Sequence, residues 1–177
     1  MENPDAASGG NALDLKAISR AALVTALAVA LPPVFHAVKL GSAFLPMYLP
    51  ILAGAFFLPL RWAAIAGAAA PLISAALTGM PPFYPPVAIW MTGELAAAGA
   101  VVALVGGRRD RHPIVAVAAG LVAARVVQAV LVFASATLME LPPRVLTLAT
   151  FVASWPGMIL ALVAVPAAVT LLRRGPS

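Results

Sequence analysis

The chain has no cysteine, which excludes a disulfide framework, thiol catalysis and cysteine-ligated metal sites. Charge is nearly as scarce. Eleven Lys and Arg and six Asp and Glu make up 10% of 177 residues, against about a quarter in ordinary soluble domains. There are only two histidines, His36 and His112. Also missing are a G-x-x-x-x-G-K-[ST] phosphate loop, an H-E-x-x-H metal motif and a G-x-S-x-G nucleophile turn. Nucleotide hydrolysis, zinc-dependent hydrolysis and serine acyl transfer by those routes therefore have no residues to carry them. Runs of about ten alternating residues, the mark of a membrane β-barrel, are absent as well.

Apolar residues dominate what remains, at 63% of the chain with a mean hydropathy of +1.02. So few charges cannot screen that much apolar surface from water, so the sequence reads as an all-α integral membrane protein whose surroundings are lipid. The net charge of +5 and the pI of about 10.8 do not point to nucleic acid, because the cations are few and stand at segment ends. Residues 1–13 are polar, Gly-rich and slightly acidic, which fits a disordered cytoplasmic tail rather than a secretory signal with its basic start.

A bilayer core of about 30 Å takes about 20 apolar residues of helix to cross. Six segments are apolar enough: residues 17–35, 43–58, 62–78, 87–105, 114–139 and 145–172. The second and third read as a tight hairpin broken by Pro59, Leu60 and Arg61. The expectation is one six-helix transmembrane domain over residues 14–174 with a short tail at 175–177. Cations set its orientation. With the N-terminus inside, Lys16, Arg20, Arg61, Arg108, Arg109, Arg111, Arg173 and Arg174 fall on the inner side, and only Lys39 and Arg144 on the outer. Both termini are then cytoplasmic, in a multi-pass protein of the cell (inner) membrane. His36 and His112 fall on opposite faces, and Glu94 and Glu140 are the only acids away from the cytoplasmic side. Neither a two-histidine metal site nor a pair of catalytic carboxylates is signalled, so no enzyme and no cofactor are expected.

The three outer connections are proline-rich: the stretch after Pro32-Pro33, then Gly79-Met-Pro-Pro-Phe-Tyr-Pro-Pro86, then Glu140-Leu-Pro-Pro-Arg144. Repeated prolines stiffen a loop and remove its donors. Such loops form a rim that loses little entropy on binding, although Pro-Pro pairs also simply stop helices at an interface. His36, Lys39, Met80, Phe83 and Tyr84 are the rim candidates for substrate contact. Within the spans, Glu94 and Arg125 are conspicuous because charge inside a bilayer is costly. At 1.5 Å per residue they lie roughly 12 and 20 Å below the outer ends of their helices, with Gln128 one turn outward of Arg125. They either pair and tie two helices, or form a polar floor for a ligand, or snorkel apart. Trp90 and Trp155 stand toward the outer half and complete the candidate set, and Trp155-Pro156-Gly157 is placed to kink the last helix. A flat or partly apolar ligand suits this inventory better than a highly anionic one. On helix one, Ala22, Ala26 and Ala30 recur every four residues, a spacing that permits close helix contact.

Phe44-Leu-Pro-Met-Tyr-Leu-Pro50, Thr78-Gly-Met-Pro-Pro82 and Met91-Thr-Gly-Glu-Leu95 resemble the substrate-binding S components of energy-coupling factor (ECF-type) vitamin transporters. The resemblance covers residues 17 to 106. It implies a six-helix protein that captures a vitamin or its precursor in an outward-opening cavity built from the outer loops and helices four to six. It also implies partners, a transmembrane coupling subunit and two cytoplasmic ATPase subunits, with Ala22, Ala26 and Ala30 facing the coupling subunit; some S components act without a dedicated module. The chain departs from the cobalamin-type members, which use a cysteine ligand, and its helix-two and helix-three motifs differ from those of the biotin type. The expected function is vitamin-uptake binding; the alternative is a structural or assembly subunit of the membrane.

Overall fold

The computed structural model describes residues 4–37, 45–107, 112–138 and 154–174, with side chains placed for all of these except 4–14, 36 and 37. The described residues form helices and no strand: α1 (Pro4–Ala37), α2 (Tyr48–Ala55), α3 (Leu60–Thr78), α4 (Val87–Gly106), α5 (Pro113–Leu138) and α6 (Trp155–Arg173). α1 begins inside the stretch expected as a tail, and its membrane-length apolar part is Leu15–Phe35. That part and α3, α4, α5 and α6 make five helices long and apolar enough to cross a membrane.

The second expected span, 43–58, is corrected by the structure. Its helix is α2, with only 8 residues, or about 12 Å of rise, far short of a bilayer core. Pro46 precedes it and Pro50 sits in its first turn, where the missing N–H is tolerated. At the other end the backbone turns through Phe56–Leu58, and Pro59 takes an extended conformation (φ −57°, ψ 149°) that starts α3. What α2 lacks in length it makes up in burial. Tyr48, Ile51, Leu52 and Ala55 are all buried, at 1% exposure or less, and their i, i+3, i+4, i+7 spacing makes one continuous face. α2 is a half-helix wedged among α1, α3, α4 and α6.

Contacts at the two ends fix how the chain runs. Pro32 and Pro33 of α1, the start of α2, the end of α3, the start of α4 and Ser154 before α6 all surround one cavity. At the opposite end Arg173 of α6 donates to the Gly106 carbonyl of α4 at 3.3 Å and lies over the Phe56 ring after α2. Successive helices therefore alternate in direction, with α2 and its turn making the return leg beneath the cavity.

Small residues allow the close packing. A Cβ on Gly67 of α3 would collide with the Leu95 carbonyl of α4, and one on Gly99 would lie 2.7 Å from the Ala63 carbonyl of α3. α3 and α4 thus meet backbone to backbone, the approach small residues permit between membrane helices. Large apolar side chains such as Leu77, Val122, Val130, Phe133 and Val163 are left exposed on the outside, the surface that lipid covers. Helix starts and stops follow local chemistry. Gly79 ends α3 with a left-handed φ of 72°, which glycine adopts freely. Pro113 opens α5 and Pro156 opens α6, as proline does where no helical N–H is needed. Trp155-Pro156-Gly157 therefore begins the last helix instead of kinking it, and the part of the expected span at 145–153 lies outside the described residues.

Candidate functional site

The cavity holds about 530 Å³, within the range of about 300–1,000 Å³ typical of small-molecule sites. Prolines and methionines supply most of its apolar wall: Pro32 and Pro33 of α1, Pro46 and Met47 before α2, Met80–Pro82 after α3, and Met91 of α4. Its polar lining comes from Tyr48, Ser74, Thr78, Glu94, Arg125, Gln128 and Ser154.

The rim after α3 is held by its own side chains. Ser74 Oγ donates to the Met80 carbonyl at 2.8 Å, and Thr78 Oγ1 donates to the Ser74 carbonyl at 2.8 Å. The Met80 N–H donates back to Thr78 Oγ1 at 3.2 Å, and the Ala88 N–H ties Pro82 to α4 at 3.0 Å. In this way the Gly79 turn and the following prolines are fixed to both neighbouring helices.

The deep end of the cavity is organised by Arg125. Its Nη2 lies 2.7 Å from Glu94 Oε1 in an ion pair and donates to the Tyr48 hydroxyl at 2.9 Å. Its Nη1 donates to Gln128 Oε1 at 2.6 Å and to Ser154 Oγ at 3.3 Å. The guanidinium also sits 5.8 Å from the Tyr48 ring centroid, within cation–π range. The Arg125 side chain is 16% exposed and that of Glu94 only 2%. One residue thus joins α2, α4, α5 and the start of α6. The depth difference between Glu94 and Arg125 is bridged by the length of the arginine, so the two pair and do not snorkel apart, while both line the cavity. Arg125 Nε remains buried without an acceptor.

Four of the candidate contacts, Met80, Glu94, Arg125 and Gln128, lie in the cavity wall. Phe83 and Tyr84 are on the rim loop but outside the lining, at 55% and 73% exposure, and Trp155 is also outside it at 56%. Trp90 turns away from the cavity. It is buried against Val132 and Ala136 of α5 and donates from Nε1 to Ser135 Oγ at 2.8 Å. The His36 side chain and Lys39 lie outside the described residues. Ala22, Ala26 and Ala30 lie on an exposed strip of α1. Among the lining residues not anticipated are Tyr48, Ser74, Thr78, Met91 and Ser154. Ser74 and Thr78 did carry a signal: two hydroxyls four residues apart, one helical turn, just before Gly79.

Among the described residues no three His, Asp or Glu side chains gather in a way that would hold a metal ion. The opposite end of the molecule is basic, with Arg61 stacked 5.6 Å from the Trp62 ring centroid and Arg173 5.4 Å from that of Phe56. Comparison with protein-family models, with curated proteins and with solved structures finds no match for this chain.

Proposed function

We propose that the protein is a membrane-embedded binding subunit for the uptake of a small vitamin or vitamin precursor, akin to the S components of ECF-type transporters. The observation that carries this reading is the cavity of about 530 Å³, which reaches a buried ion pair at the meeting point of four segments. A purely structural subunit would call for a solid interior. The stiff proline walls support binding as well, since they need little ordering when a ligand arrives. The motifs around Leu45–Pro50, Thr78–Pro82 and Thr92–Leu95 support the family, because each falls at the cavity or beside it. The cavity end is the outer face and the basic end the cytoplasmic one, as the distribution of cations favours. A separate ATPase module supplies the energy, and the exposed alanine strip of α1 offers that module's coupling subunit a place to dock.

The test is thermal melting of the purified protein in detergent against a panel of vitamins and their precursors, with native mass spectrometry of the hits. A compound that raises the melting temperature and is seen bound at one per chain is the expected result. A cooperatively melting protein that binds none of the panel refutes the proposal.

A further inference from the structure

We infer that the cavity selects a ligand with no net charge, and that Arg125 is its positioning residue and not an anion receptor. This rests on the binding role proposed above. An arginine inside a membrane-embedded cavity would ordinarily be read as the partner of a ligand carboxylate or phosphate. Here both terminal nitrogens already face partners. Nη1 donates to Gln128 and Ser154, Nη2 donates to Tyr48 and pairs with Glu94, and Nε is buried without an acceptor. Its charge is committed too, because Glu94, 2% exposed, sits 2.7 Å away. Among the described lining residues these are the only two charges, and they cancel. An anionic ligand would meet an arginine whose charge Glu94 already balances and whose terminal nitrogens face other partners, and a cation would have to compete with Arg125 for Glu94. In surroundings this apolar an uncompensated charge is expelled.

What the cavity does offer is neutral. Gln128 accepts from Arg125 through its amide oxygen, which leaves its NH₂ to donate. Ser74 and Thr78 spend their hydroxyl protons on backbone carbonyls, and Thr78 Oγ1 also accepts from the Met80 N–H, which leaves the Ser74 oxygen as the acceptor. Met47, Met80 and Met91 in the wall give a soft, adaptable surface that packs well on rings. The matching ligand is uncharged and mostly apolar, with a carbonyl-type acceptor at one end.

The experiment measures Kd by ligand-dependent melting for matched neutral and anionic probes: nicotinamide and nicotinate, pantothenol and pantothenate, biotinamide and biotin. Riboflavin is added as a larger neutral probe and thiamine as a cationic one. The wild-type protein should bind a neutral probe at least tenfold more tightly than any charged one, a difference of about 1.4 kcal/mol. In Glu94→Gln the site gains an uncompensated positive charge, so the ratio for the matched anion should fall by tenfold or more. Anionic or cationic probes that bind the wild type as tightly as neutral ones overturn the inference and leave the binding role standing. Binding of no probe overturns both. Should Glu94→Gln not fold, the wild-type ratio decides alone.

Discussion

Replacing Arg125 with alanine removes the hub of the buried network, and the cost can be worked from its contacts. The substitution deletes an ion pair and three hydrogen bonds and leaves Glu94 as an uncompensated charge at 2% exposure. Breaking a buried pair in this way costs about 3–5 kcal/mol. Glu94→Gln is milder. A neutral amide leaves no stranded charge beside Nη2, and Arg125 keeps Tyr48, Gln128 and Ser154 while being partly open to the cavity. That change should cost about 1–3 kcal/mol. The double variant lacks the stranded carboxylate, so its loss should be smaller than the sum of the single losses by about 1–3 kcal/mol. Equilibrium unfolding in mixed micelles, followed by fluorescence of Trp62, Trp90 and Trp155, measures all three. Equal effects of the two single changes, or an additive double, would refute a network centred on Arg125.

Three further outcomes follow from other contacts. Tyr48→Phe removes the hydroxyl that accepts from Arg125 at 2.9 Å and should destabilise by about 1.5–3 kcal/mol, as loss of a hydrogen bond to a charged group does; the same unfolding assay reads it. Trp90→Phe loses the bond to Ser135 but keeps the ring against Val132, so it should cost about 1 kcal/mol and leave ligand affinity unchanged in a melting titration, because Trp90 is outside the cavity. Gly67→Val forces α3 away from the Leu95 carbonyl and should cost about 1–3 kcal/mol or more by overpacking, whereas Ala26→Val on the exposed strip of α1 should stay within about 0.5 kcal/mol.

Hydropathy reads the spans well where a helix is both long and apolar: α3, α4 and α5 begin and end within two residues of the expected limits. It fails at α2 for a physical reason. A half-helix buried on its inward face is as apolar as a span, so composition cannot tell one from the other. Length can, and Pro46, Pro50 and Pro59 already limited how much helix fits between them.

The site divides along a similar line. Glu94 and Arg125 were legible because charge is so rare in this chain that each buried one demands a partner. The aromatics were not, because a helix apolar all round gives no period that separates a cavity-facing ring from one facing another helix. α4 shows the consequence. Val87, Met91 and Glu94 line the cavity at i, i+4 and i+7, while Trp90, one position before Met91, is turned onto α5. The α4–α5 seam is therefore clasped twice, by Trp90–Ser135 near the rim and by Glu94–Arg125 deeper in. Sequence can reveal that an arginine is buried, but only geometry reveals that its terminal nitrogens already face Tyr48, Gln128, Ser154 and Glu94. That arrangement makes Arg125 a girder between the helices, which is the basis of the inferred preference for a neutral ligand.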